Sequence, residues 1–254
     1  MEDLLKTTII IFSTFVCAIS AAQVKKYTPS NGHAHNDYLN AHPFHTAYSN
    51  GFGSIEADVY PVNDVLQVAH HKAEIKPANT LSTLYIKPLL EQLSSGKARN
   101  VNLLVDIKEN YSLSLSLLVK ELQPLLPYLS TPAKPNYLSI VISGSRPPPS
   151  EYKNYPDFIF FDDDLKAKHE AAEWNRVRLV SLPFTKISTW KGDKKPGKED
   201  RKRLAHIIDS THAAGKPIRF WAAPDTRASW KWQKRLKADL IGTDKVTELA
   251  EYLK

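Results

Sequence analysis

The sequence predicts an α/β protein built as a single (β/α)8 (TIM) barrel, and three observations support this fold class. The chain has 254 residues, and one barrel of this kind typically needs about 250. Short runs of apolar and β-branched residues alternate with longer segments of helical periodicity, which is the pattern of βαβ units. Most of these runs are apolar almost without interruption, as expected for strands covered on both faces of a parallel sheet. A doubly wound open sheet is the alternative that the same pattern allows.

The predicted elements alternate along the chain. Eight barrel strands are predicted at Pro29–His35, Ser54–Tyr60, Val101–Ile107, Leu138–Ile142, Phe158–Phe161, Val177–Leu182, Ile218–Ala222 and Asp239–Ile241. The run Leu66–His70 follows the second strand too closely for a helical crossover, so it predicts a hairpin partner. Helices are predicted at Pro43–Asn50, Leu81–Ser94, Leu113–Leu126, Lys166–Trp174, Lys198–Ala214 and Lys245–Leu253.

The first 22 residues have the pattern of a secretory signal peptide. The apolar run Thr7–Ala22 follows Lys6, closes in small residues and is shorter than a typical membrane span. We therefore expect residues 1–22 to be cleaved, and residues 23–254 to form the barrel of a secreted or periplasmic protein. An uncleaved anchor is the alternative. The single cysteine, Cys17, lies in the segment expected to be removed, so the mature chain would have no disulfide.

Composition limits the function only broadly. Hydrophobic residues make up 42% of the chain and charged residues 24%, which excludes a disordered or multi-span membrane protein. The formal net charge of +7 favours an anionic partner without choosing among nucleic acid, lipid headgroups and phosphorylated metabolites. No nucleic-acid-binding motif accompanies the basic stretches, so nucleic acid is the least favoured of these.

Acidic residues gather near the predicted ends of the second and third barrel strands, where barrel enzymes hold their active sites. Glu56 and Asp58 are two residues apart, so they face the same side of a strand. Two buried carboxylates repel each other unless a cation lies between them, and oxygen ligands suit Mg²⁺ or Ca²⁺. Asp106 could complete such a site, and a structural pair with Lys108 is its alternative interpretation.

Histidines flank these acids along the sequence. His33 or His35 ends the first strand, and His70 ends the hairpin run. Imidazole titrates near neutral pH, so one such side chain can accept a proton while another donates one. A lone histidine at a strand end is more often structural, but histidines on both sides of an acidic pair favour acid/base chemistry.

The order of these motifs resembles the PLC-like phosphodiesterase superfamily, which includes glycerophosphodiester phosphodiesterases and phosphatidylinositol-specific phospholipases C. The motifs are HAHNDY, GFGSIEADVY, NDVLQVAH and LLVDIK. The sequence is most similar to the branch typified by the fungal altered-inheritance-of-mitochondria proteins and their secreted bacterial relatives. That similarity extends to ISGSRP, IRFWAAPD and LIGTD, and so covers most of residues 23–254.

The resemblance implies a TIM barrel of the PLC-like type that hydrolyses a phosphoric diester with a divalent cation, Mg²⁺ or Ca²⁺. The implied substrate is a glycerophosphodiester or a phospholipid-type molecule. The implied metal ligands are Glu56, Asp58 and Asp106. His70 is implied as one member of the acid/base pair.

The resemblance leaves the other histidine open between two positions. His35 followed by Asn36 matches the His-Asn pair of the eukaryotic phospholipases, in which the asparagine binds metal. His33 matches the position of the first histidine in the His-Arg-Gly motif of the diesterases. Lys108 is expected to stabilise charge on the phosphate and Arg146 to contact the substrate.

The expected partners are a small phosphodiester or a phospholipid headgroup, with transient contact at a membrane surface, and the chain is expected to act as a monomer. Two other functions remain as alternatives. A zinc amidohydrolase would use His33 and His35 together with Asp244. A catalytically inactive lipid- or glycan-binding barrel would use exposed tryptophans, of which Trp230 and Trp232 are the best candidates.

Overall fold

The computed structural model describes residues 26–254, and the predicted signal peptide lies outside them. The strands are β1 (Gly32–Ala34), β2 (Ser54–Val62), β3 (Val65–Val68), β4 (Val101–Ile107), β5 (Leu138–Gly144), β6 (Ile159–Asp163), β7 (Val177–Pro183), β8 (Ile218–Trp221) and β9 (Ile241–Thr243). All except β3 are parallel, in the order β8-β7-β6-β5-β4-β2-β1-β9. A parallel bridge between Arg219 and Leu240 joins the two ends of this order. The predicted barrel is therefore confirmed.

Helices connect most of the strands. They are α1 (His45–Ser49), α2 (Lys87–Ser94), α3 (Tyr111–Glu121), α4 (Ala171–Trp174), α5 (Lys198–Ala213), α6 (Arg227–Leu236) and α7 (Val246–Leu253). The predicted hairpin is confirmed, because β3 pairs antiparallel with β2. No helix within residues 26–254 has the length and apolar character needed to cross a bilayer.

Several predicted boundaries were wrong for identifiable reasons. The helix predicted at Lys166–Trp174 begins only at Ala171, because the Asp163 carboxylate binds the backbone N–H of Leu165 at 2.7 Å and holds a turn there. The helix predicted at Leu113–Leu126 ends at Glu121, and a 3-10 segment that starts at Gln123 contains two prolines.

The end strands and one helix also differ from the predictions. The last barrel strand begins at Ile241 rather than Asp239, and the first begins at Gly32 because a 3-10 turn occupies Pro29–Asn31. Helix α6 was not predicted. Its sequence signal is the N-cap Thr226, whose hydroxyl accepts a hydrogen bond from the Ser229 backbone.

Side chains inside the barrel are arranged in layers. An apolar layer at mid-height consists of Leu104, Val141, Phe160, Leu179 and Leu240, each at most 8% exposed. Strand register places Glu56 level with Leu104 of this layer, and it places Asp58 and Asp106 side by side one inward-facing position closer to the C-terminal ends of the strands. The apolar layer therefore separates the two ends of the barrel.

Candidate active site

Three carboxylates meet at the C-terminal end of the barrel. Glu56 and Asp58 extend inward from β2, and Asp106 extends from β4 next to Asp58. One ligand oxygen of each residue lies within 4.8 Å of the others. Glu56 and Asp58 are buried and Asp106 is nearly so. Unscreened carboxylates this close need positive charge nearby.

Arg219 and His33 contact the carboxylate of Glu56. Arg219 on β8 donates to the Glu56 carboxylate at 2.9 Å, and its Nε donates to Ser181 at 2.8 Å. His33 contacts Glu56 through Nε2 at 2.5 Å and Ser54 through Nδ1 at 2.8 Å. Burial alone would raise the pKa of Glu56, but Arg219 and His33 lower it well below its usual range. Glu56 is therefore an anion at neutral pH.

His33 is fully buried inside this network. Burial, together with the positive charge of Arg219, lowers the pKa of His33 to about 4. The imidazole is therefore neutral at physiological pH. One ring nitrogen of His33 contacts Ser54, and the other contacts the Glu56–Arg219 pair. His33 is therefore placed to orient Glu56, and it does not line the cavity described below.

Lys108 supplies positive charge to the other two acids. Its Nζ lies 2.7 Å from Asp58 and 2.5 Å from Asp106. Burial raises the pKa of Asp106, an effect that Lys108 offsets only in part. Burial would lower the pKa of Lys108, but Asp106 and Asp58 raise it, so the lysine remains charged.

The donor set fits a hard divalent cation. Two cationic side chains face three carboxylates, which leaves net negative charge. The Oδ1 atom of Asp58 is buried and has no hydrogen-bond partner among the described residues. An unpartnered buried carboxylate oxygen is costly, and a cation would satisfy it.

His35 lies at the mouth of the barrel. Its Nδ1 contacts Asp244 at 2.7 Å, and its side chain is 39% exposed. Burial lowers the pKa of His35, but the hydrogen bond to Asp244 and the charge of Glu56 outweigh it and raise the pKa. Asp225 in turn accepts a hydrogen bond from the backbone N–H of Asp244 at 3.0 Å. A fixed carboxylate therefore holds the His35 ring.

His70 lies beside the acids on the side of β3. Its Nδ1 is 3.2 Å from Asp58 and 3.2 Å from the Tyr38 hydroxyl, and its side chain is 43% exposed. Tyr38 also lies 2.7 Å from Asp58 and 2.8 Å from Asn36 Oδ1. The Tyr38 hydroxyl thus links Asn36 to Asp58. Asn36 does not line the cavity described below.

A cavity of about 370 Å³ opens above these side chains. The sequence-predicted residues that line it are His35, Glu56, Asp58, His70, Asp106, Lys108 and Arg146. Arg146 lies 3.6 Å from the buried Asp162 and 3.7 Å from Asp164. Burial raises the pKa of Asp162 to about 6, even though Arg146 opposes this shift.

Gly144 is required by the geometry of the cavity wall. Its φ is +71°, and a Cβ atom there would lie 2.0 Å from Asp106 Oδ1. Any larger residue at this position would displace a candidate metal ligand.

Sequence reasoning missed several side chains of this site. Asp244 was considered only as a zinc ligand, and Tyr38, Asp162 and Trp221 were not assigned to the site. Trp221 ends β8, lines the cavity and is 46% exposed. Position immediately after a barrel strand is the signal that could have identified Asp244.

Two alternatives lose support from the geometry. Among the described residues, the metal-type cluster contains only carboxylates and no histidine, unlike a zinc amidohydrolase. Trp230 was wrongly expected to be exposed. It is 1% exposed and donates its Nε1 to Asp225, so it belongs to the core.

Comparisons with known proteins bear on this arrangement. Residues 22–99 match the AIM6-like phosphodiesterase domain. The chain is 36% identical over 118 residues to an altered inheritance of mitochondria protein 6 homolog from Arthroderma benhamiae, covering 37% of this chain and 38% of the relative. It is 29% identical to altered inheritance of mitochondria protein 6 from Eremothecium gossypii, covering 87% of this chain and 68% of the relative. The alignment with the first relative thus covers well under half of that relative's length.

Solved structures share the fold. A calcium-dependent phosphoinositol-specific phospholipase C from a Gram-negative Pseudomonas species superposes with a TM-score of 0.57 at 13% identity, covering 86% of this chain and 91% of that one. A glycerophosphodiester phosphodiesterase from Parabacteroides distasonis gives 0.55 at 13% identity, covering 90% and 96%. The resemblance to the PLC-like phosphodiesterases, and to their altered-inheritance-of-mitochondria branch, is confirmed.

Proposed function

We propose that this chain, which has the fold of the PLC-like phosphodiesterases, is a metal-dependent phosphoric diester hydrolase acting on a glycerophosphodiester or phospholipid-type substrate. One observation carries the proposal. The ligand oxygens of Glu56, Asp58 and Asp106 lie within 4.8 Å of one another, below a cavity that His35 and His70 also line. Cation ligands, acid/base groups and space for a small substrate therefore meet at one end of the barrel.

The three carboxylates would hold the ion, with Mg²⁺ and Ca²⁺ favoured by their oxygen donors. When bound, such an ion polarises a phosphoryl oxygen and makes a nearby hydroxyl more acidic. Arg219 and His33 keep Glu56 ionised and oriented for this task. Asn36 would contribute only after its contact with Tyr38 is exchanged.

The two histidines would divide the proton transfers. His35 is held by Asp244 and has a raised pKa, so it is suited to donate a proton to the leaving alkoxide. His70 contacts Asp58 through Nδ1, which leaves Nε2 available to accept a proton from the attacking hydroxyl. His33 would be a positioning residue, because it is fully buried.

Two cations would stabilise the phosphate. Lys108 and Arg146 line the same cavity on neighbouring walls. Both are partly paired with acids in the structure, which orders them before substrate binds. Donors that are already oriented stabilise developing charge more effectively than mobile ones.

The substrate class follows from the surroundings of the cavity. Its volume of about 370 Å³ suits a headgroup-sized molecule. Exposed apolar side chains lie at the same end, with Trp221 46% and Leu39 68% exposed. They would favour transient contact with a lipid surface, in keeping with the proposed export of the chain.

The test is turnover by the purified protein. Glycerophosphodiesters, phosphatidylinositol and lysophospholipids are supplied with Mg²⁺, with Ca²⁺ and with EDTA. We expect release of a phosphomonoester or cyclic phosphate from at least one substrate, and loss of that release in EDTA. No turnover with either ion, together with no bound metal in the purified protein, would contradict the proposal and favour a non-catalytic binding barrel.

A matched pair of variants assigns the acid. We expect His35→Ala to lower kcat by about 10²-fold or more, as loss of a general acid does. His33→Ala should instead weaken metal binding and lower the free energy of unfolding by about 1–3 kcal/mol, because it removes a buried hydrogen-bond partner. The reverse pattern would assign the acid to His33.

A further inference from the structure

A second cavity lies at the opposite end of the barrel, beyond the apolar layer. Its volume is about 570 Å³, compared with about 370 Å³ for the cavity above the carboxylates. Its walls come from the first residues of the strands, such as Val101 of β4 and Val177 of β7. Phe160 and Leu240 of the apolar layer also line it.

The charges in this N-terminal cavity are of one sign. Arg178 and Lys216 line it, and no aspartate or glutamate does so among the described residues. Within those residues, neither cation forms a salt bridge with an acid. Lys216 donates to the backbone carbonyl of Val177 at 2.7 Å, and Arg178 donates only through Nε, to Asn102 at 3.4 Å.

The arginines and lysines that line the cavity at the other end differ in this respect. Lys108, Arg146 and Arg219 each face a carboxylate within 4 Å. Arg178 is exposed and Lys216 is partly buried. Partial burial lowers the pKa of Arg178, and burial together with the charge of Arg178 lowers the pKa of Lys216. The two cations therefore raise each other's electrostatic free energy, and an anion between them would lower it.

The remaining lining matches an oxyanion. The terminal nitrogens of Arg178 make no hydrogen bond to the described residues and form a fork that suits a carboxylate or phosphate. Side-chain amides of Asn100, Asn102 and Asn175 add polar groups around it. The volume exceeds that of a single inorganic ion and lies in the range of small-molecule sites.

We propose that the N-terminal cavity is a second binding site, which takes a small organic anion carrying phosphate or carboxylate groups between Arg178 and Lys216. The site is separate from the proposed hydrolytic centre, because the apolar layer lies between them. It does not depend on a bound metal.

Calorimetric titration of the full chain tests this site. The protein is depleted of metal, and the chelator is then removed because it is itself an anion. Citrate and inorganic phosphate are the probes. We expect one citrate to bind per chain, and Arg178→Gln and Lys216→Gln each to weaken it about tenfold or more, as loss of a charge-assisted hydrogen bond does. Arg146→Gln at the other end is the matched control and should bind citrate like the unsubstituted chain.

A further variant guards against misfolding. Asn102→Asp places a carboxylate beside Arg178 without removing either cation, so it should abolish citrate binding while the thermal unfolding midpoint is maintained. Diester hydrolysis by Arg178→Gln should be unchanged. The proposal fails if the unsubstituted chain binds neither probe, if Arg178→Gln and Asn102→Asp still bind citrate, or if Arg146→Gln loses the binding.

Discussion

The two ends of the barrel have local charges of opposite sign. At the C-terminal end, acids outnumber cations around Glu56, Asp58 and Asp106, and the buried Oδ1 atoms of Asp58 and Asp162 have no hydrogen-bond partner among the described residues. At the N-terminal end, Arg178 and Lys216 face a cavity without an acid. The excess of carboxylates favours a cation at the first end, and the two cations, unpaired within the described residues, favour an anion at the second. The overall charge of +7 reveals neither preference.

The apolar layer at mid-height explains how both ends coexist. Leu104, Val141, Phe160, Leu179 and Leu240 fill the interior between them. Charges on either side are kept apart by close-packed side chains, so each end can be altered without rearranging the other. The predictions below test that separation.

The largest effect should follow removal of the acid/base groups at the C-terminal end. We expect His35→Ala and His70→Ala each to lower kcat/KM by about 10²–10⁴-fold, the usual contribution of a general acid or base. Steady-state kinetics on the best diester substrate measure this loss. Arg178→Gln serves as the control from the other end. A comparable loss in that control would mean that the two ends are coupled.

Alanine substitutions at two glycines, one at each end, test how tightly the two ends are packed. Gly144 and Gly215 have φ of +71° and +74°, so alanine at either pays a similar backbone cost, about 1 kcal/mol. At Gly144 the new Cβ would meet Asp106 Oδ1 at 2.0 Å and the backbone oxygen of Ile107 at 2.5 Å, whereas at Gly215 nothing lies within 4 Å. We expect Gly144→Ala to lower activity by up to about 10²-fold, since small misplacements of catalytic groups have effects of that size.

Gly215→Ala should retain activity and lower only the unfolding midpoint. Equal activities of Gly144→Ala and Gly215→Ala would show that the position of Asp106 does not limit turnover.

Asp37 is a buried acid at the C-terminal end that forms no salt bridge with a described lysine or arginine. Its carboxylate accepts a hydrogen bond from the Phe44 backbone, but burial raises its pKa from 3.8 to about 6. Between about pH 4 and 6 the folded state holds a proton that the unfolded state releases. The free energy of unfolding should therefore decrease as pH rises through this window, by about 2–3 kcal/mol.

Denaturant unfolding of Asp37→Asn measures this contribution. The variant should show a flatter dependence on pH between 4 and 6 than the unsubstituted chain. An unchanged slope would assign the pH dependence to another group, with Asp162 the next candidate because its pKa is also about 6.

The smallest effect concerns the pH profile of His35. Its hydrogen bond to Asp244 raises the pKa of the imidazole. If protonated His35 donates the proton, activity falls above that pKa, and Asp244→Asn should move the alkaline limb of kcat/KM to lower pH by about one unit or less. A profile that keeps its alkaline limb would exclude His35 as the acid.

Much of the fold was predictable because buried parallel strands are continuous apolar runs, and the period of two placed Glu56 and Asp58 on one face. Contacts between distant residues were not predictable. His35 meets Asp244 and Arg219 meets Glu56 only because closure of the barrel brings β1 and β2 beside β8 and β9. Helix α6 escaped prediction because its buried residues are Ser229, Trp230 and Gln233, of which only Trp230 is apolar.

The N-terminal cavity had no sequence signal. Arg178 and Lys216 are 38 positions apart in the printed sequence, and each resembles an ordinary surface cation. Their significance depends on the absence of acids around them within the described residues, and sequence patterns do not report such an absence.

The most direct test of the proposed function is a metal titration of turnover. Metal-depleted protein is assayed on the best diester substrate while Ca²⁺ or Mg²⁺ is added, alongside Asp58→Asn and the control Arg178→Gln. We predict that activity returns saturably with one ion bound per chain, that Arg178→Gln behaves identically, and that Asp58→Asn needs about 10-fold more ion or stays inactive. Full activity of the metal-depleted protein, or an unchanged titration in Asp58→Asn, would contradict the assignment of the acidic cluster as a metal centre.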